Sequence, residues 1–153
     1  MSLKEITENH LLLVQLLKKV LNPWRKFTIA IDGVDHSGKS TLARFLAWQL
    51  EMPAIETDLY LSGSTMVPSY HWKKLSLLVQ SRHRLNRPVI IEGVFVKKIL
   101  EQLKVKPDFS IYVECYAYTG SEEWQEEFAR YAIQYSPRDT AQFLFVNPGS
   151  EGS

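Results

Sequence analysis

The sequence around residues 27–50 places a glycine-rich turn between a strand-like run and a helical pattern. Residues 33–41 fit the pattern G-x-x-x-x-G-K-[ST]. The run Phe27 to Asp32 before the turn is rich in strand formers. The apolar residues after the turn recur at helical spacing: Leu42, Phe45, Leu46 and Leu50. A strand, a glycine turn and a helix in this order are typical of a loop that binds phosphate at a helix N-terminus.

Each part of this turn is suited to holding phosphate. Gly33 and Gly38 permit the backbone angles and the close approach that let N–H groups surround an anion. Lys39 is expected to reach the outer phosphates, and the Ser40 hydroxyl to ligate Mg²⁺. We therefore expect the turn to bind a nucleoside triphosphate, ATP in preference to GTP because no N-K-x-D segment is present. The predicted binding residues are Gly33, Val34, Asp35, His36, Ser37, Gly38, Lys39, Ser40 and Thr41.

The composition is that of one ordinary globular domain. The chain has 153 residues and a formal net charge of +1, so its totals point to neither a nucleic acid nor a membrane surface as partner. The apolar run Leu11 to Leu17 is too short to span a bilayer. Cys115 is the single cysteine and cannot form an internal disulfide, which fits a reducing compartment. We expect a cytoplasmic protein with a small-molecule partner. Whether the chain forms a homo-oligomer stays open.

Strand and helix patterns alternate along the chain. An amphipathic helix begins at a capping box formed by Ser2 and Glu5 and ends before Pro23. The predicted strands are Phe27–Asp32, Ala54–Thr57, Val89–Glu92, Phe109–Cys115 and Phe143–Val146. This alternation predicts a parallel sheet of about five strands covered by helices on both faces. Together with the phosphate-binding turn of residues 33–41, it indicates a three-layer α/β/α P-loop NTPase fold. Residues 1–147 are expected to form a single domain, and 148–153 a disordered tail.

Acidic residues stand where several of these strands end. Asp32, Asp58 and Glu92 each follow or close a predicted strand. Ligands of parallel sheets bind at the carboxyl ends of the strands, so these carboxylates are expected beside the phosphate-binding loop. The arrangement predicts a Mg²⁺ and general-base site at that edge of the sheet.

Four segments in order resemble the uridine kinase and phosphoribulokinase branch of the P-loop small-molecule kinases. They resemble, in turn, that branch's phosphate-binding loop, its D-x-F-Y segment, its strand ending in V-E-G, and its closing helix exit and strand. The segments are 29–42, 57–61, 87–95 and 135–146. The resemblance implies ATP- and Mg²⁺-dependent transfer of the γ-phosphate to a hydroxyl of a small metabolite, such as a nucleoside or a ribosyl compound.

The resemblance also suggests roles for individual residues. Lys39 would hold the phosphates, and Ser40 with Glu92 would hold the metal ion. The base of the D-x-F-Y segment falls at Thr57 in direct register, with Asp58 one residue later. Asp58 is therefore the predicted base, with Glu56 and Glu92 as substitutes, because reach decides which carboxylate acts.

The lid between the fourth strand and the last helix departs from the family pattern. Members carry an arginine-rich lid, whereas residues 116–135 contain one arginine, Arg130. Arg130 either clamps the transferring phosphate or is a solvated charge beside Glu126 and Glu127.

Two other functions remain open at this stage. Asp35 resembles the acidic loop residue of thymidylate kinases, which makes a nucleoside monophosphate kinase one alternative. Thr57 and the small lid also fit a nucleotide-binding regulatory module without kinase activity.

Overall fold

The structure is a computed structural model that describes residues 5–62 and 69–147. Its strands are β1 Phe27–Asp32, β2 Ala54–Glu56, β3 Pro88–Glu92, β4 Phe109–Cys115 and β5 Phe143–Asn147. They form one parallel sheet with the order β2-β3-β1-β4-β5. The predicted five-stranded parallel sheet is therefore confirmed. The predicted tail, 148–153, lies outside the described residues.

Helices connect the strands and lie on both sides of the sheet. They are α1 Glu8–Val20, α2 Lys39–Leu50, α3 Trp72–His83, α4 Val96–Leu103 and α5 Gln125–Tyr135, with two short 3₁₀-helices at Thr57–Tyr60 and Glu122–Trp124. Within residues 5–62 and 69–147, none of the helices has both the length and the apolar character that a membrane span needs.

The two faces of the sheet carry separate apolar cores. On one face, α1 and α2 bury Leu13, Leu17, Leu42 and Leu46 against Ile29, Ile31 and Ile111. On the other face, α3 and α4 bury Leu75, Val79 and Ile99 against Ala30, Val89 and Ile91. Alternate residues of β1 thus enter opposite cores, which explains why its sequence is continuously buried. The three-layer α/β/α architecture is confirmed.

The first helix begins later than its sequence pattern predicts. The N-cap is Thr7, whose backbone N–H donates to Nδ1 of His10 at 2.9 Å. The His10 ring also packs edge-on against Phe45 of α2 and Phe145 of β5. Of the predicted capping box, Glu5 precedes the helix and Ser2 lies outside the described residues. Tertiary packing of His10 therefore fixes the helix start, and the predicted start was wrong.

The carboxyl ends of three strands meet at one edge of the sheet. Glu92, the last residue of β3, pairs with Ile31 of β1 and with Glu56 of β2. Asp32 ends β1 and leads directly into the glycine turn. Strand β2 stops at Glu56, so the predicted last strand residue, Thr57, instead opens a 3₁₀-helix. This edge gathers the acidic residues that the sequence placed at strand ends.

Candidate functional site

The glycine turn connects β1 to α2. Gly33 and Gly38 have φ values of +151° and +102°. A Cβ at Gly33 would lie 2.6 Å from the carbonyl oxygen of Val113 and 2.9 Å from Oγ of Ser37. Only glycine fits where the turn passes β4. Asn147 Nδ2 donates to the Ser37 carbonyl at 3.1 Å, so the end of β5 supports the turn from another side.

Lys39 holds a positive charge inside this turn. The residue is 6% exposed, and its Nζ donates to the carbonyl oxygen of Val34 at 2.6 Å. Burial lowers the pKa of Lys39, whereas the carboxylates of Glu92 and Asp32 oppose that shift. A cation surrounded by glycine-turn backbone is suited to binding phosphate oxygens.

Ser40 and Glu92 bring a hydroxyl and a carboxylate together beside Lys39. Oγ of Ser40 donates to Oε1 of Glu92 at 3.1 Å. Glu92 is 2% exposed. Burial raises the pKa of Glu92 to about 7, although the Lys39 ammonium favours the ionised form. Hydroxyl and carboxylate oxygens are the ligands that Mg²⁺ prefers, so this pair fits the predicted metal site.

Glu92 belongs to a cluster of three carboxylates. One oxygen each of Glu56, Asp58 and Glu92 lies within 4.8 Å of the others. Glu56 is held by Arg44 of α2, whose guanidinium donates to both of its oxygens at 2.7 and 3.1 Å. Asp58 and Glu92 line a cavity together with Lys39. Of the three carboxylates in this cluster, those of Asp58 and Glu92 are therefore the ones available to a ligand in that cavity.

Thr57 and Asp58 differ in exposure at the end of β2. Thr57 is 1% exposed, and a Cβ at Gly93 would lie 2.2 Å from its Oγ1. Thr57 is thus packed directly against Gly93, the residue that follows β3. The 3₁₀-helix changes the direction of the chain after β2, and the side chain that follows Thr57, that of Asp58, is exposed at the cavity. Predicted base and predicted metal ligand thus lie in one cluster.

Sequence reasoning missed the contacts of Asp32 and Tyr131. Asp32 is 3% exposed and accepts hydrogen bonds from the Tyr131 hydroxyl at 2.6 Å and from the Gly33 N–H at 2.8 Å. Burial raises the pKa of Asp32 to about 7 against the effect of both bonds. Tyr131 lies 99 residues along the chain from Asp32, so no local pattern signals the contact.

Asp35 binds the segment that follows β4. Its Oδ1 accepts from the backbone N–H of Ser121 at 2.8 Å, and its Oδ2 accepts from the hydroxyls of Ser121 and Tyr118. Burial alone would raise the pKa of Asp35, but the bonds from Ser121 outweigh it and the pKa is lowered. His36 lies at the exposed tip of the turn, 3.8 Å from Asp35. The Asp35 carboxylate, on which the thymidylate kinase alternative rested, is thus hydrogen-bonded to residues of the same chain.

The cavity beside the turn has a volume of about 300 Å³. Its polar side is formed by the turn and the strand ends just described. Its apolar side includes Leu61, Tyr70, Val94, Trp124 and Phe128. Among the described residues that line it, Lys39 is the one lysine or arginine.

Arg130 is not brought to this cavity in the described structure. Its guanidinium lies 3.4 Å from Glu126 and 3.6 Å from Glu127 on α5. The residue lines a second cavity of about 340 Å³ between α4 and α5. Of the two sequence interpretations, the arrangement corresponds to the solvated charge.

Comparison with known proteins gives a likeness in structure. No protein-family model matches the chain, and no curated protein sequence matches it significantly. The structure is similar to a possible uridine kinase from Bacillus stearothermophilus, with a TM-score of 0.60, 17% identity, and coverage of 86% of this chain and 96% of that one.

Two further solved structures are more distant. A sugar kinase from a Janibacter species has a TM-score of 0.45 and 14% identity, with coverage of 80% of this chain and 84% of that one. A shikimate kinase from Bacteroides thetaiotaomicron has a TM-score of 0.41 and 14% identity, with coverage of 78% and 85%. With TM-scores below 0.5, neither structure supports a conclusion about this chain. At its low identity, the likeness to the Bacillus protein shows the fold.

Proposed function

We propose that this chain is an ATP- and Mg²⁺-dependent phosphotransferase. It transfers the γ-phosphate to a hydroxyl of a small metabolite such as a nucleoside or a ribosyl compound. The observation that carries the proposal is the grouping of Lys39, Ser40, Asp58 and Glu92 around one cavity at the glycine turn. The likeness to a possible uridine kinase supports the same class of reaction.

The turn and Lys39 bind the triphosphate. Backbone N–H groups of residues 34–39 hold the phosphate oxygens at the N-terminus of α2. The Lys39 ammonium exchanges its bond to the Val34 carbonyl for the β- and γ-phosphates. Since the cavity carries no second lysine or arginine among the described residues, Lys39 is the main side-chain cation for the developing charge.

Ser40 and Glu92 would hold Mg²⁺ between them. Their oxygens already lie 3.1 Å apart at the phosphate side of the cavity, and the donor set suits a hard cation. When bound, the ion neutralises phosphate charge and orients the γ-phosphate. Glu92 must be ionised for this role, which its raised pKa opposes and the nearby Lys39 favours.

Asp58 receives the proton of the acceptor. Its carboxylate is exposed at the cavity, and within residues 5–62 and 69–147 no arginine holds it as Arg44 holds Glu56. The acceptor hydroxyl gives its proton to Asp58 while its oxygen forms a bond to the γ-phosphorus. The bond from that phosphorus to the bridging oxygen breaks, and ADP leaves. The apolar side of the cavity, with Tyr70 and Trp124, accommodates a small ring-bearing acceptor.

A coupled assay of ADP release tests this proposal. ATP and Mg²⁺ are supplied with nucleosides, ribosyl vitamins, sugars or nucleoside monophosphates, one class at a time. We expect a hydroxyl acceptor to stimulate ADP release in the wild type and about 10²-fold less in Asp58→Asn. Stimulation by nucleoside monophosphates alone would instead identify a nucleoside monophosphate kinase.

A regulatory nucleotide-binding module is the second candidate. The observation in its favour is that Arg130 lies in ion pairs on α5 and lines a different cavity. This candidate predicts ATP binding with no stimulation by any acceptor class. A phosphorylated acceptor formed at a useful rate would exclude it.

A further inference from the structure

Asp32 is a buried carboxylate that the proposed reaction does not use. It ends β1, is 3% exposed, and accepts one hydrogen bond at each oxygen, from Gly33 and from Tyr131. A polar group at this depth is costly unless it is hydrogen-bonded. These two bonds therefore fix the position of the carboxylate.

The Tyr131 hydroxyl joins three elements at this point. It belongs to α5, donates to Asp32 at the end of β1, and accepts from the backbone N–H of Lys97 in the first turn of α4 at 2.9 Å. The tyrosine is 7% exposed, and its ring packs edge-on against Phe95 with centroids 5.2 Å apart. With one donor and one acceptor bond made, the hydroxyl has a single orientation, and it points at Asp32.

Gly33 is the first residue of the glycine turn and is confined on both sides. Its N–H points at Asp32, while the Val113 carbonyl and the Ser37 hydroxyl lie where a side chain would stand. The peptide of Gly33 therefore has one orientation. That orientation sets the start of the turn from which residues 34–39 present their N–H groups.

We infer that Asp32 and Tyr131 are positioning residues for the glycine turn: the tyrosine hydroxyl holds the carboxylate, and the carboxylate holds the first N–H of the turn. Helix α5 thereby sets the conformation in which the turn binds nucleotide. The effect on nucleotide affinity rests on the proposed function, whereas the effect on the turn rests on the contacts alone.

The first test compares two identical substitutions on one helix. Tyr131→Phe removes the bond to Asp32, and Tyr135→Phe removes a bond of 2.9 Å to Glu101 that does not touch the turn. Titration calorimetry with ATP and Mg²⁺ is expected to show binding about tenfold weaker for Tyr131→Phe. The Tyr135→Phe control is expected to stay within about twofold of the wild type.

A second pair of variants separates positioning from loss of stability. Asp32→Ala removes both bonds, whereas Asp32→Asn keeps an acceptor for the Gly33 N–H. Affinity for ATP is expected to fall most in the alanine variant and to recover in part with asparagine. If Tyr131→Phe does not fold, this pair decides the question.

Hydrogen exchange gives a readout that needs no nucleotide. Amides of residues 33–39 are expected to exchange faster in nucleotide-free Tyr131→Phe than in the wild type. Their exchange rates are expected to be unchanged in Tyr135→Phe. Wild-type affinity and wild-type exchange in both Tyr131→Phe and Asp32→Ala would overturn the inference. If the wild type binds no ATP, the proposed function fails, and exchange alone supports or overturns the positioning role.

Discussion

The two walls of the candidate cavity differ in their chemistry. The sheet wall consists of Lys39, Ser40, Thr57, Asp58 and Glu92, which come from the glycine turn and the strand ends. The α5 wall consists of Trp124 and Phe128, whose aromatic rings stack with centroids 6.4 Å apart. Lys39, Asp58 and Glu92, the charged residues to which the proposed reaction assigns a role, are all on the sheet wall. In the proposed reaction, the α5 wall borders the space for the acceptor.

This difference follows from how the two walls are built. Parallel topology forces the ends of β1, β2 and β3 to one edge, so their polar side chains have to meet. The α5 wall depends on which face of α5 is turned toward the cavity. The arginine of this helix, Arg130, forms ion pairs with Glu126 and Glu127 on the helix itself. Catalysis is accordingly expected to depend strongly on the sheet wall and weakly on Arg130.

The largest effect is expected from Lys39→Ala. Removing the buried cation of the sheet wall should lower acceptor-dependent turnover by about 10³-fold, because transition-state charge loses its main side-chain partner. Circular dichroism should show a folded chain. The matched control, Lys106→Ala, changes an exposed lysine after α4 and should keep wild-type turnover. Equal turnover in both variants would contradict the role of the sheet wall.

The next effect separates two carboxylates of one cluster. Asp58→Asn should lower kcat by about 10²-fold with little change in the KM for ATP, because the proton acceptor is lost. Glu56→Gln, in which the group held by Arg44 is altered, should change kcat by no more than about threefold. A larger loss in Glu56→Gln than in Asp58→Asn would assign the base to Glu56.

The glycine turn illustrates what the sequence can establish. Gly33 and Gly38 could be placed because the local backbone geometry requires glycine at both positions. Lys39 could be placed because it follows Gly38 in the loop pattern. Thr57 and Asp58 were harder, since the 3₁₀-helix after β2 breaks the strand alternation that register arguments use. The polar edge was predictable and Asp58 was the predicted base, but the sequence could not exclude Glu56 or Glu92, because the 3₁₀-helix decides which carboxylate reaches the cavity.

The α5 wall illustrates what the sequence leaves open. The sequence places a last helix after the fourth strand, but its pattern does not say which face of that helix meets the glycine turn. Arg130 and Tyr131 are adjacent, and the buried tyrosine, not the arginine, contacts Asp32. The same applies to His10, whose role as a helix cap arises from packing against distant rings.

A stability cycle tests the packing behind the sheet wall. Gly93→Ala should lower the free energy of unfolding by about 1–3 kcal/mol, because its Cβ would lie 2.2 Å from Oγ1 of Thr57. Thr57→Ala removes that oxygen, so Gly93→Ala should cost less in the Thr57→Ala background. Urea denaturation of the four proteins measures the coupling. Additive effects would show that Thr57 is not the obstacle.

A smaller effect is expected in the pH dependence of stability. Burial raises the pKa of Asp32 from an ordinary value of 3.8 to about 7. The native state then binds this proton more tightly than the unfolded chain, so stability falls as pH rises from about 4 to about 7. Asp32→Asn should make this decline shallower in denaturant titrations. Burial also raises the pKa of Glu92, so part of the decline in stability should persist in the variant. Parallel curves for wild type and variant would contradict the assignment.

The smallest effect is expected from Arg130→Ala. Its ion pairs on α5 are exposed, so the equilibrium constant of unfolding and the turnover rate should each change by no more than about twofold. A phosphate clamp would instead cost about 10³-fold or more in kcat. Steady-state kinetics with the best acceptor distinguishes these values. A large loss would mean that α5 moves its arginine to the sheet wall during turnover.

The most direct test follows the γ-phosphate itself. ATP labelled at the γ-phosphorus is incubated with Mg²⁺ and each acceptor class, and the label is traced to ATP, inorganic phosphate or the acceptor. A phosphotransferase built on the sheet wall predicts that label enters a hydroxyl acceptor at similar rates with wild type and Lys106→Ala, and about 10³-fold more slowly with Lys39→Ala. ATP binding with label that never reaches an acceptor would contradict the account and leave a nucleotide-binding regulatory module.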